Sequence, residues 1–385
     1  MALHIKALNN DTSFLLTFIP SICPAEQKFP ETFPGAFTIL IDPIVPLKID
    51  DVDPKPSSCI SSLNDIAEPD AILISQTLPD HCHEESLCQL SPHIQSMIVG
   101  EPNAIKKVKR WKHFDLGNMY ALRRYKNGRK DTLFRVELPP PSPLGTSGEL
   151  TIALLNSKVS SAGSVHNAIG ITYREPGSVL SRSRAMTGAP PSSRASSAKP
   201  MSSISSDMTF ATTAASNPEP TLSVLYSPYG VSFDVVQPWI LGHLVPESAL
   251  PLVAMLHSTT VVDAPWYSGG NISTGYPGGF ELARRLMPTT WIAANDRHNV
   301  LSATAKKVVR KDFDVTDAQM QLWNELAAKN VERKPKILRL NPGETLRVDR
   351  LTAEAIVKAM TRNTKEEEKI ANPEEHTTTD HEELQ

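Results

Sequence analysis

The stretch 73–87, LISQTLPDHCHEESL, gathers Asp80, His81, Cys82, His83, Glu84 and Glu85 immediately behind an apolar run. A strand that ends in a dense set of ionisable side chains is a common way to build a metal site, because one rigid element delivers several ligands together. His83 stands two residues after His81, and alternation along an extended loop would turn both rings the same way. The residues just before this cluster do not suit a metal. Leu78 has no lone pair to offer, and Gln76 is a poor ligand. A second reading therefore stands beside the first: an Asp at a strand end can cap the following helix, and a His can bond a neighbouring carbonyl. Both would hold the loop with no metal at all.

Other candidates lie in the C-terminal half. His243, His257, Asp263, Asp296 and His298 fall at or near predicted strand ends and could converge on one cavity, with Asp296 in AANDRHN the best placed. His166 precedes a strand and reads as a loop residue. The stretch 266–279, WYSGGNISTGYPGG, reads either as a mobile loop able to close over a substrate or as an ordinary surface loop. It lacks the Lys and spacing of a phosphate-binding P-loop. No Gly-x-Ser-x-Gly elbow is present, so a serine-hydrolase reading has no support.

The elements that must position these residues are mostly short strands. Apolar, β-rich runs occur at 13–19, 37–42, 71–75, 96–100, 150–155, 168–174, 222–226, 231–236, 259–263, 289–294 and 336–340. Helical signals fall between them: NAIKKVKRWKHF, GFELARRLM, and TDAQMQLWNELAAKN with a capping box at Thr316 and Gln319. The basic run in the first of these is read as the solvated side of an amphipathic helix. Paired strands come first, then strands alternating with helices, and the order recurs later in the chain. That predicts two packed sheets with helices outside. Residues 175–220 are dominated by Ser, Ala, Pro and Thr and cannot offset their own ordering entropy, so a disordered insertion is expected there. An acidic disordered tail is expected over 363–385. The folded halves are then 1–174 and 221–362, two parts of one domain, since loop closure costs little more for a long insertion.

At 385 residues and 40% hydrophobic, the chain can bury a large core. A net charge of −3 gives no global case for nucleic acid or an anionic membrane as partner. Four scattered cysteines make no disulfide framework. No run approaches the ~18 apolar residues of a membrane span, and 1–20 carries no basic segment or cleavage signal. A soluble, cytoplasmic protein is expected. Arg-flanked serines in the insertion suit basophilic kinases, and the insertion or tail would be where a protein partner binds.

The apolar strand AILIS running into QTLPDHCHEESL resembles the metallo-β-lactamase superfamily, in which a buried strand ends in His-x-His-x-Asp-His. Gln76, Thr77, Leu78, Pro79, Asp80 and His81 occupy the six positions, so half of the motif is present. TSFLLTF followed by FTILIDPIV, with Asp42-Pro43 closing the strand, is similar to the opening of the lactonase-like branch that includes ascorbate-6-phosphate lactonase. IVGEPNA and GGFELARRLMPTTWIAAND fall in the family order too. The resemblance covers nearly all of 1–174 and 221–349, and it implies an α+β fold: a four-layer αββα sandwich. It further implies a hydrolase of an ester, lactone or phosphate-bearing small molecule. Asp80, His81 and His83 would hold at most one zinc, manganese or iron ion, with Asp80 and Asp296 as the catalytic acids and no organic cofactor. Several family ligands are missing: Gln76 and Leu78 replace the first two histidines, Ser157-Lys158 and Tyr229 stand near two others, and Asn295 replaces the last. A normal dinuclear centre is excluded on ligand count. The alternative is a fold member that has lost catalysis and serves as a binding or scaffold protein.

Overall fold

A computed structural model describes residues 1–45, 58–156, 166–177, 221–265, 270–294, 309–331 and 333–349. The chain divides into two units, Met1–Val348 and Asp349–Gln385, and the description below is of the first.

Sheet one contains β1 (Ala2–Ala7), β2 (Phe14–Ile19), β3 (Phe37–Ile41), β4 (Ala71–Ile74), β5 (Met97–Gly100) and β6 (Met119–Ala121), with β17 (Thr345–Asp349) alongside β1. Sheet two runs β7 (Leu133–Leu138), β8 (Gly148–Asn156), β9 (Asn167–Arg174), β10 (Leu222–Ser227), β11 (Ala254–His257), β14 (Thr290–Ala293) and β16 (Lys336–Leu338). A small sheet joins β12 (Val261–Asp263), β13 (Asn271–Thr274) and β15 (Val309–Lys311). The helices are α1 (Glu84–Leu87), α2 (Pro102–Trp111), α3 (Phe233–Trp239), α4 (Gly275–Leu286) and α5 (Val315–Ala328).

The two large sheets repeat one plan. Each begins as an antiparallel meander, β1 to β3 and β7 to β10, and continues as parallel strands, β3 to β6 and β10, β11, β14, β16. Parallel strands end at the same edge, so the loops after β3, β4, β10 and β11 are the ones that can carry a site.

Period-two alternation sorts the side chains. Leu3 and Ile5, Phe14, Leu16 and Phe18, and Ile39 and Ile41 of sheet one share a core with Leu150, Ile152, Val224, Tyr226 and Leu256 of sheet two. Their neighbours point the other way. Leu40, Ile72, Ile74 and Ile98 pack with Ala104, Ile105 and Val108 of α2, while Leu225 and Met255 pack with residues of α3, α4 and α5. Strands apolar on both faces are the pattern of sheets covered on both sides, and each buried Leu or Ile contributes about 1.5–3 kcal/mol.

Several elements differ from the sequence reading. Residues 231–236, read as a strand, lead into α3 instead. Phe233, Val236, Trp239 and Ile240 are buried at helical spacing, and that packing outweighs the β-propensity of the valines. The Trp239 ring lies so near β9 that a Cβ on Gly170 would come within 2.5 Å of it. The described part of 266–279 is β13 and the start of α4 rather than a loop. Helix α5 is capped by Asp314, which accepts from the Thr316 and Asp317 N–H groups, not by Thr316. The sequence runs do not include β1, β6, β7, β11 or β17. Most of 175–220 and all of 363–385 lie outside the described residues, but β9 and β10 on either side of the former pair directly, Tyr173 opposite Leu222. Among the described residues no helix is long and apolar enough to cross a membrane.

Candidate functional site

Two proline turns, one from each sheet, meet at the site. After β4 the chain turns at Leu78-Pro79-Asp80-His81, where the His81 N–H donates to the Leu78 carbonyl at 3.0 Å. After β10 it turns at Ser227-Pro228-Tyr229-Gly230, closed by the Gly230 N–H on the Ser227 carbonyl at 3.1 Å. Proline pre-sets the second position of such a turn, which leaves the third residue to project. Those third residues are Asp80 and Tyr229, and the Tyr229 hydroxyl donates to Asp80 Oδ2. Gly230 has φ +81°, and a Cβ there would run into Thr274 Oγ1.

The first turn is held from outside as well. Lys107 of α2 donates from Nζ to the Thr77 carbonyl at 3.1 Å and the Cys82 carbonyl at 2.9 Å, and Thr12 Oγ1 donates to the Asp80 carbonyl at 3.0 Å. One lysine of the basic run therefore braces this loop.

His81 is fully buried. Its Nδ1 donates to Asp42 Oδ2 at 2.6 Å, and its Nε2 lies 3.5 Å from Asp80 Oδ2 with no hydrogen bond. Asp42, at the end of β3 with φ +42°, gathers donors. Its Oδ1 accepts from the Ser75 N–H at 2.7 Å. Its Oδ2 accepts from Ser75 Oγ at 2.6 Å and from the Tyr226 hydroxyl at 2.7 Å, as well as from His81. A buried carboxylate needs this many donors, because an unpaired one costs several kcal/mol, on the order of 3–5. The result is a continuous chain of groups, Tyr226, Asp42, His81, Asp80 and Tyr229, which crosses from sheet two to sheet one and back.

Burial works most strongly on His81 and by itself would discharge the ring. The Asp80 and Asp42 carboxylates and the Asp42 hydrogen bond outweigh it and raise the pKa from 6.5 to about 9. The two carboxylates thus favour the protonated ring against its burial. Burial lifts the Tyr226 hydroxyl well above its ordinary value, with the Asp42 charge acting in the same direction, so it stays a neutral donor. Burial also pushes the Cys82 thiol up to about 12, which makes it an inert apolar residue rather than a thiolate ligand.

The predicted site residues separate here. Asp80 and His81 come together. His83 does not join them: it caps α1, its Nδ1 accepting from the Ser86 N–H at 3.3 Å and lying 2.9 Å from Ser86 Oγ. Asp296 lies outside the described residues, as do Asn295, His298 and Ser157-Lys158. His243 sits on the far side of sheet two, its Nε2 3.0 Å from Thr151 Oγ1 and 3.1 Å from Thr172 Oγ1. His257, at the end of β11, places Nδ1 2.7 Å from the Ser258 carbonyl. Asp42, Ser75 and Tyr226 also belong to the site, and Tyr229, which the resemblance sets near a missing ligand, joins it as a hydrogen-bond donor. The one sequence signal for Asp42 was an acid closing an otherwise apolar strand.

A resident metal ion does not fit this donor set. Gln76 is buried with its Nε2 unpartnered, Leu78 is apolar, and Asp80 Oδ2 already accepts a hydrogen bond from the Tyr229 hydroxyl. Among the described residues no group of three or more His, Cys, Asp or Glu side chains is arranged to hold a cation.

No family model matches the chain, and no curated protein does. Among solved structures it is similar to an isothiocyanate hydrolase from Delia radicum gut bacteria, at 13% identity and a TM-score of 0.44, over 89% of this chain and 98% of that one. It is also similar to the metallo-beta-lactamase fold protein YhfI from Bacillus subtilis, at 11% identity and a TM-score of 0.42, over 90% of this chain and 100% of that one. A third is CmlA, a diiron beta-hydroxylase from Streptomyces venezuelae, at 13% identity and a TM-score of 0.43, over 90% of this chain and 54% of that one.

Proposed function

We propose that this chain has a metallo-β-lactamase-type αββα fold whose metal loop has become an internal tie between the sheets, and that it acts as a non-catalytic binding or scaffold protein. The observation that carries this reading is the state of His81: fully buried, with Nδ1 bonded to Asp42 and Nε2 beside Asp80. A general base or a metal ligand must present a free lone pair to what it acts on. Here the ring is sealed from solvent, with Nδ1 committed to Asp42 and Nε2 facing only Asp80. The fold reading is supported by the meander-then-parallel plan of both sheets and by where the Asp80-His81 loop leaves β4. The partner would meet the Ser- and Pro-rich segment or the acidic tail, whose compositions suit regulated docking.

A hydrolase of an ester, lactone or phosphate-bearing molecule keeps one support: the Asp80 side chain is 19% exposed, so one oxygen of the pair can face solvent. Elemental analysis separates the two readings. Protein purified without chelator and dialysed against zinc, manganese or iron is expected to retain no stoichiometric metal. One metal per chain, lost in His81→Ala, would overturn the non-catalytic reading in favour of the hydrolase.

A further inference from the structure

His81 Nε2 and Asp80 Oδ2 lie 3.5 Å apart, the histidine side chain fully buried and the aspartate side chain 19% exposed. Two ligands of a four-coordinate zinc, each about 2.0–2.2 Å from the ion, sit at close to this separation. His81 Nε2 makes no hydrogen bond, in a ring that is fully buried. The pair thus keeps the spacing of a shared cation, but the position of its third partner is taken. Tyr229 occupies it, at the same step of its proline turn as Asp80 occupies in the other. Its hydroxyl hydrogen lies on Asp80 Oδ2, and its ring centroid is 5.3 Å from that of His81. The Tyr229 carbonyl is fixed in turn by the Thr274 N–H at 3.0 Å, so the turn holds the hydroxyl in place rather than letting it swing away.

Resting on the metal-free reading above, we infer that Tyr229 has replaced a cation at this loop. Its hydroxyl gives Asp80 Oδ2 a hydrogen bond at the oxygen a metal ion would coordinate, and changing this one residue reopens a cation site on Asp80 and His81. The physical basis is a trade of one charge-assisted hydrogen bond for one coordinate bond at the same oxygen.

The test is zinc titration of the full chain, followed by calorimetry and by thermal melting, on wild type, Tyr229→His and Tyr229→Phe. Wild type is expected to show no stoichiometric uptake and no zinc-dependent shift in midpoint. Tyr229→His is expected to take up one zinc per chain, and to lose it when His81→Ala is added. Tyr229→Phe leaves Asp80 without its donor. It is expected to melt several degrees below wild type without zinc and to regain part of that difference with zinc. One zinc bound by wild type would overturn the metal-free reading itself. A folded Tyr229→His that takes up none, with wild type also metal-free, would overturn only the replacement. Should Tyr229→His fail to fold, Tyr229→Phe decides: a wild-type midpoint, or a lowered one that zinc does not raise, sinks the inference.

Discussion

Two buried histidines answer burial in opposite ways. His81 lies between Asp80 and Asp42 and its pKa rises to about 9. His243, in the helical turn Ile240–Leu244 after α3, has two threonine hydroxyls for partners; burial, helped by Arg135, lowers its pKa to about 4. Desolvation opposes the charged ring at both sites. The partner decides the outcome, since a carboxylate repays a charge and a hydroxyl does not. The first histidine is therefore held toward its charged form in a tie between sheets. The second is a neutral ring in a packed core.

The contrast can be broken most forcefully at Asp42. Asp42→Ala removes the acceptor of four hydrogen bonds and leaves the His81 charge half-paired, so a loss of about 3–5 kcal/mol is expected by urea denaturation. A loss below about 1 kcal/mol, the level of a surface pair, would show that the tie contributes little.

The pH dependence comes next. His243 has a folded pKa below its unfolded value of 6.5, so its contribution is intact above pH 6.5 and lost as pH falls toward 4. The full difference amounts to about 3 kcal/mol. His243→Gln should flatten the stability profile between those limits, as read from urea midpoints at each pH. His81 has the opposite sign. Its folded pKa is raised, so its contribution is intact below 6.5 and lost as pH rises through about 9. His81→Gln should be relatively less destabilising at pH 9.5 than at pH 6.

Thr151→Val should have the smallest effect. It removes the contacts of Thr151 Oγ1 with His243 Nε2 at 3.0 Å and with Thr172 Oγ1 at 2.7 Å, and at about 1 kcal/mol for each neutral hydrogen bond the loss is about 2 kcal/mol. A loss several times larger would mean that the three groups act as a unit.

Much of this was legible in the sequence. The alternating runs gave most strands of both sheets, and the Asp80-His81 pair announced itself by type and spacing. Two things could not be read. The valines of 231–236 favour a strand locally, and only the packing of Phe233, Val236 and Trp239 makes that segment a helix. The partners of the Asp80-His81 pair come from distant parts of the chain: Asp42 from the residue after β3, Tyr226 from β10 and Tyr229 from the turn that follows it. No local pattern links a tyrosine after one strand to an aspartate in the other sheet. The contact exists only once the two sheets have packed.

The direct pairing of β9 with β10 has a consequence for how the protein can be made. Sheet two draws β7, β8 and β9 from one side of residues 178–220 and β10, β11, β14 and β16 from the other. An antiparallel ladder from Tyr173↔Leu222 to Ile169↔Tyr226 joins the two sets, so peptide continuity is not what holds that sheet together. Two separately encoded polypeptides, split anywhere in 178–220, should therefore reassemble into the intact fold, and neither piece alone should complete sheet two.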